Sequence, residues 1–265
     1  MSRYLPASVT LLVRAFLNPS SYIGGRSSVY ERGAGVRAKR AIRLIALYIV
    51  GIVLYALPLT YAGIGAAEAT GEPHPAALTL ADVLGWDGAQ LWLFASAFVE
   101  NSIFLIVGSV LVFVVIHVAV VLLGTSDGLL QTVHTVVYAT GMYLAAIYSF
   151  VWALSVADGV RVADEVVLAI QASFVTTTVE LTGTGFELPG GTTSMPETTA
   201  ITPLGRLLLI GLALACIYFL YSVYLGVRIN HDGSRSAALG VVALVLAAPA
   251  LYVIGSVAVI LFTNA

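Results

Sequence analysis

The chain has 265 residues, of which 59% are hydrophobic and only 10% charged, with a mean hydropathy of +0.98. A soluble domain carries about 25% charged residues, so a water-covered globule is excluded, and disorder, which needs low hydrophobicity and high net charge, is excluded with it. The net charge of −2 conceals a basic head on an acidic body: eight Lys/Arg against one acid up to Arg43, then four basic against thirteen acidic residues. The single cysteine, Cys216, rules out an intramolecular disulfide and a Cys-based zinc site.

The head (residues 1–43) opens with an apolar stripe, Leu5, Val9, Leu12, Val13, Phe16 and Leu17. Pro6 suits a first turn, so Leu5 to Phe16 reads as an amphipathic helix lying on a membrane surface. Arg3, Arg14, Arg26, Arg37, Lys39, Arg40 and Arg43 are then candidate contacts to anionic lipid of the inner leaflet. Basic arms also bind nucleic acid, but this one runs straight into an apolar stretch, which makes the positive-inside rule the simpler cause.

A helical span needs about twenty mainly apolar residues. Five segments qualify in the membrane domain (44–265): 44–64, 102–123, 133–157, 207–227 and 237–262. The first is too long, and too far from the start, for a cleavable signal peptide. The runs are continuously apolar rather than alternating, which excludes barrel strands. Loops 65–101 and 158–205 are mostly acidic, whereas 228–236 carries Arg228 and Arg235. The expectation is an all-α membrane protein of five transmembrane helices, N-terminus inside and C-terminus outside, multi-pass in the cell membrane, with two extended outer loops.

Within the first outer loop, Asp82 to Val99 reads as an interfacial helix with Trp86 and Trp92 at headgroup level. In the second, Val160 to Phe174 has helical spacing and is expected to lie on the membrane. Phe174 to Leu181, rich in Thr and Val, reads as a strand, and Glu187 to Pro203 as a turn-rich excursion. Eleven arginines to one lysine, with acidic outer loops, suit a salt-loving organism.

No H-E-x-x-H, G-x-S-x-G, paired intramembrane aspartates or phosphate-cradling loop is present. No catalytic, cofactor-binding or metal residue is therefore assigned, and the reading is not an enzyme. Ionisable groups inside a bilayer attract functional suspicion by default. His117 falls about 10 Å, and His134 about 6–7 Å, from the short turn joining their two spans. Gln131, His134 and Tyr138, continued by Gly141 and Ala145, form one stripe at three- and four-residue steps. These groups read as a polar interhelical seam in which His117 and His134 face each other; a proton or ion pathway through the two is the alternative. Tyr218, Tyr221 and Tyr224 read as an aromatic belt, Cys216 as buried, and Gly211-x-x-x-Ala215 and Gly141-x-x-x-Ala145 as close-packing steps.

The stretch HVAVVLLGTSDGLLQTVHTVVYATGMYL (117–144) resembles the signature of Yip-domain membrane proteins. In that signature a histidine near the inner end of one span precedes a Leu-Leu-Gly turn and a span that opens with a tyrosine. LLVRAFLNPSSYI (11–23), with Pro19 and Tyr22, is similar to the family's N-terminal amphipathic piece, and YLGVRINHDGSRSAALGVV (224–242) to its last cytoplasmic turn. The three cover about half the chain, in order. The Asp-Leu-Tyr-Gly-Pro segment through which eukaryotic members are associated with small GTPases and vesicle traffic is absent. The resemblance therefore implies a prokaryotic-type, five-span membrane protein and carries over no mechanism; with no enzyme motif present, the reading is a non-enzymatic membrane organiser or partner-binding scaffold. Its expected partners are the lipid bilayer and either another membrane protein or a second copy of the chain, with no nucleic acid and no cofactor.

Overall fold

The computed structural model describes residues 18–24, 33–61, 73–157, 160–184 and 194–263. It contains eight α-helices among them: α1 (Pro19–Gly24), α2 (Ala34–Tyr61), α3 (Pro75–Leu84), α4 (Gly88–Leu122), α5 (Leu129–Val156), α6 (Arg161–Glu180), α7 (Pro203–Asn230) and α8 (Arg235–Thr263), with a single 3-10 turn at Thr198–Ala200. Six of these, α2, α4, α5, α6, α7 and α8, are long and apolar enough to cross a membrane. Large apolar side chains point outward along them, among them Phe104, Leu122 and Phe262. Such a surface would aggregate in water, whereas in hydrocarbon it is the wetted face. The chain is a multi-pass helical membrane protein.

Two elements differ from the sequence expectation. No interfacial helix spans 82–99. The break falls at Gly85, which caps α3 in the left-handed region at φ 67°, and Asp87 then starts α4 by accepting the Gln90 N–H on Oδ1 at 2.8 Å. From there α4 runs unbroken for 35 residues, about 52 Å at 1.5 Å per residue, well beyond the roughly 30 Å of hydrocarbon. Nothing between Gly88 and Gly108 breaks a helix, so the polar Glu100, Asn101 and Ser102 mark no boundary. The strand expected at Phe174–Leu181 is the last part of helix α6. There the Thr178 hydroxyl donates to the Phe174 carbonyl one turn back at 2.7 Å, and Thr178 and Val179 are buried, so local bonding and packing override β propensity.

Helices α5 and α7 pack antiparallel along their length. A Cβ on Gly226 would collide with the Thr135 Cγ2, and one on Gly211 with the Phe150 ring; at the far end Leu154 and Leu208 share a buried cluster. The missing side chains let the two backbones approach, a recurring means of helix association in lipid. Gly211 is thus the packing step read from sequence. Gly141 is not, because a Cβ there meets nothing; instead its carbonyl accepts the Tyr55 hydroxyl of α2 at 2.9 Å. Cys216 is exposed on α7, not buried.

One core cluster joins α4, α5, α7 and α8 through Ile116, Val120, Val136, Val223, Val227 and Val241. A second joins α2 to α4 through Ile52, Ala56, Leu59 and Leu105. The first lies toward one end of the bundle, where the α4–α5 and α7–α8 turns meet. This is the histidine end. The other, where the turn between α3 and α4 carries Trp86 and the start of α4 carries Trp92, is the tryptophan end.

Candidate functional site

Three pieces of backbone converge at the histidine end. The α4–α5 turn is tight because Gly124 and Gly128 adopt φ of 65° and 119°, conformations that cost glycine little. In the α7–α8 turn Asp232 takes φ 43°, which a short polar side chain tolerates, and the Arg228 guanidinium donates to the Gly233 carbonyl at 2.8 Å. The third piece is α1, which lays its carbonyl end against α5.

His231, only 2% exposed, links the two turns. Its Nδ1 accepts the Asp127 backbone N–H at 3.2 Å, so the neutral ring carries its proton on Nε2. That nitrogen lies 3.4 Å from the Thr132 hydroxyl and donates to it. Thr132 Oγ1 is in turn 3.0 Å from His117 Nδ1 on α4 and 3.4 Å from the Gly128 carbonyl. A hydroxyl has one proton and two lone pairs, so Thr132 can accept from His231 while donating to His117 or to Gly128. The result is a continuous chain of hydrogen bonds, His231–Thr132–His117, across three elements. Burial pulls the His231 pKa down to about 4; the Asp127 carboxylate opposes that shift and His117 reinforces it. The neutral ring is the one this geometry holds.

His134 belongs to a second contact. Its Nε2 donates to the Ile23 carbonyl of α1 at 2.9 Å, and its ring lies 4.5 Å from that of Tyr138. One step further along α5, the Asn230 amide donates to Thr135 Oγ1 at 3.0 Å, both buried. The histidine end is therefore tied by side chains from α4, α5, α7 and the last turn, with α1 bound by its backbone.

His117 and His134 do not face each other. His117 bonds to Thr132, and two residues along a helix turn the side chain by about 200°, which sends His134 to a different neighbour. Tyr138 meets His134 by its ring, whereas Gln131 folds over Gly128. His117 is half-buried and stacks on Phe113, 5.8 Å between ring centres. Of the basic residues, Arg37, Lys39, Arg40 and Arg43 fall in the first turns of α2, with Lys39 exposed. Arg3, Arg14 and Arg26, like the amphipathic helix expected at Leu5–Phe16, lie outside the described residues. The sequence reading missed Thr132, Thr135 and Asn230, and took His231 only as part of the 224–242 stretch that carries the resemblance, with no site role. The signal was present in the i, i+3 hydroxyls at the start of one span and in Asn-His at the end of another.

Among the described residues no three of His, Cys, Asp and Glu come together as a metal site. Chemically the arrangement can lock helix ends together, and it can pass a proton between two imidazoles through a hydroxyl. Comparisons with protein-family models, curated proteins and solved structures found no match to the chain.

Proposed function

We propose that this membrane protein is a non-enzymatic organiser or partner-binding scaffold of the Yip-domain type, crossing the cell membrane five times with its N-terminus in the cytoplasm. The observation that carries the reading is a meeting in space. The two stretches that resemble the family signature, 117–144 and 224–242, interlock through His117, Thr132 and His231, so residues 99 positions apart in sequence form one unit. A cross-linked, buried end of this kind suits a surface that presents itself to a partner.

The topology rests on charge and parity. Arg37, Lys39, Arg40, Arg43, Arg228 and Arg235 gather toward the histidine end, which the positive-inside rule assigns to the cytoplasm. Because α5 and α7 pack antiparallel from end to end, Val156 and Pro203 are on the same side. The chain between them must cross an even number of times or not at all. Among the described residues there it has one long helix, α6, and non-helical backbone does not cross lipid. Helix α6 therefore starts and ends on the tryptophan side, with its exposed Arg161–Glu165 pair at 2.8 Å in the headgroup region.

The proton pathway is a second reading, favoured by the same His231–Thr132–His117 chain. Proton flux in proteoliposomes under a pH gradient separates the two. The scaffold reading expects no flux above empty vesicles for the native protein, His117→Gln or His231→Gln. Flux in the native protein that disappears in either variant, with helicity intact, would replace the scaffold by a transporter, because Gln keeps a hydrogen bond but cannot titrate.

A further inference from the structure

A cleft of about 540 Å³ opens at the tryptophan end, where the last residue of α2 meets the turn between α3 and α4. Tyr61, Trp86, Asp87 and Phe94 are among the residues that line it. The sequence builds it locally. Gly85 in the left-handed region reverses the chain after α3, which places Trp86 on the surface, 59% exposed. Asp87 holds its carboxylate at the start of α4 because Oδ1 is fixed on the Gln90 N–H. Tyr61, 68% exposed, and Phe94 pack ring to ring at 5.3 Å, tilted by 56°, so the two ring faces are offered at an angle rather than stacked shut.

Aromatic faces carry negative quadrupoles and attract cations, most strongly when a carboxylate adds a full charge and the cation is weakly hydrated. No competing cation comes from nearby in the chain: between Arg43 and Arg161 there is no Lys or Arg, whereas Asp82, Asp87 and Glu100 all lie in the α3–α4 region. A small metal ion would seek several oxygens at close range, which three aromatic rings do not supply. We infer that this cleft binds an organic ammonium ion of the choline or ethanolamine type, its cationic head against Tyr61, Trp86 and Phe94 and its charge balanced by Asp87. The source is either the headgroup of a neighbouring lipid or a free solute. The site stands apart from the histidine end and does not depend on the scaffold reading.

The test uses the full chain with Trp92→Phe and Trp152→Phe, leaving Trp86 as its only tryptophan. Choline chloride is titrated at constant ionic strength, with 3,3-dimethylbutan-1-ol, the same shape without the charge, as the comparison. Trp86 fluorescence should change saturably with choline and not with the alcohol. Asp87→Asn keeps an N-cap of equal quality and should weaken choline about tenfold with helicity unchanged; Tyr61→Leu should weaken it several-fold. A linear response, an equal response to the alcohol, or unchanged affinity in Asp87→Asn would overturn the assignment. Nanodiscs distinguish the sources. Tenfold weaker apparent choline binding in phosphatidylcholine than in uncharged digalactosyldiacylglycerol identifies a lipid headgroup as occupant, and equal affinity in both identifies a free cation.

Discussion

The two ends of the bundle differ in how far their polar side chains reach, although the histidine end has local bonds too, such as Arg228 donating to the Gly233 carbonyl and Ser234 accepting the Ala237 N–H. At the histidine end they bridge elements remote in sequence: Asn230 to Thr135 across 95 positions, His231 to Thr132 across 99, His134 to Ile23 across 111. At the tryptophan end they serve their own turn: His74 accepts the Ala76 N–H, Asp87 the Gln90 N–H and Thr202 the Gly205 N–H. Asn101, which donates to Thr60 across 41 positions, is the exception there. The difference follows from what surrounds each end. Helix starts near the headgroups can be capped one at a time, each for about 1 kcal/mol. Buried groups under packed helices have no water to fall back on, so each must find its partner on another element.

The largest expected effect tests whether the ends lie on opposite sides of a membrane at all. With Cys216 replaced by Ser, since it is exposed, single cysteines are placed at Thr184, Thr198 and Ser234, all of which are exposed. An impermeant thiol reagent should label Thr184→Cys and Thr198→Cys from one face and Ser234→Cys only from the other. Labelling of Thr184→Cys together with Ser234→Cys would mean that α6 crosses and the chain returns before Pro203, and the five-span arrangement would fall.

The next effect belongs to the histidine end alone. The His231 pKa is about 4 in the folded chain, below the ordinary value of 6.5, because the neutral ring is buried. Its contribution to stability is therefore complete above pH 6.5 and is lost as the pH falls toward 4. Protonation also puts a donor on Nδ1, facing the Asp127 N–H, and breaks the link between the turns. Thermal unfolding in detergent should show about 1–3 kcal/mol of extra destabilisation between pH 7 and 4.5 in the native protein relative to His231→Gln. Parallel pH profiles for the two would remove His231 from the lock.

The same contrast decides what was legible in the sequence. The long apolar runs set five helices to within a few residues at most ends, because burial in lipid is a composition signal. Local features were partly visible: Gly-Trp-Asp-Gly at 85–88 holds both a left-handed cap and an N-cap, although Trp86 and Trp92 favour one interfacial helix across it. The length of α4 was hidden because Glu100 and Asn101 look like an interface, whereas Asn101 is buried against Thr60. The site was half legible. His117 and His134 stand out as intramembrane histidines, but their partners are a threonine hydroxyl and a backbone carbonyl, groups that occur everywhere in the chain. Pairing among them is fixed by helix rotation and by the Gly226–Thr135 approach, neither of which periodicity reveals.

The smallest effect sharpens the contrast between local and remote bonding. Thr202 precedes Pro203 at the first turn of α7, and its hydroxyl accepts the Gly205 N–H at 3.2 Å. Thr202→Ala removes one cap and should cost about 0.5–1 kcal/mol, read from the unfolding midpoint. Because Thr202 and His231 lie at opposite ends of the bundle, combining it with His231→Leu should be additive within about 0.5 kcal/mol. Thr132→Val with His231→Leu should not be, since each single change already breaks the bond that the other would break, and a coupling energy above about 0.5 kcal/mol is expected. Additivity in both pairs would mean that the histidine end is a set of independent contacts rather than a linked chain; coupling only in the second pair fixes the chain as one unit.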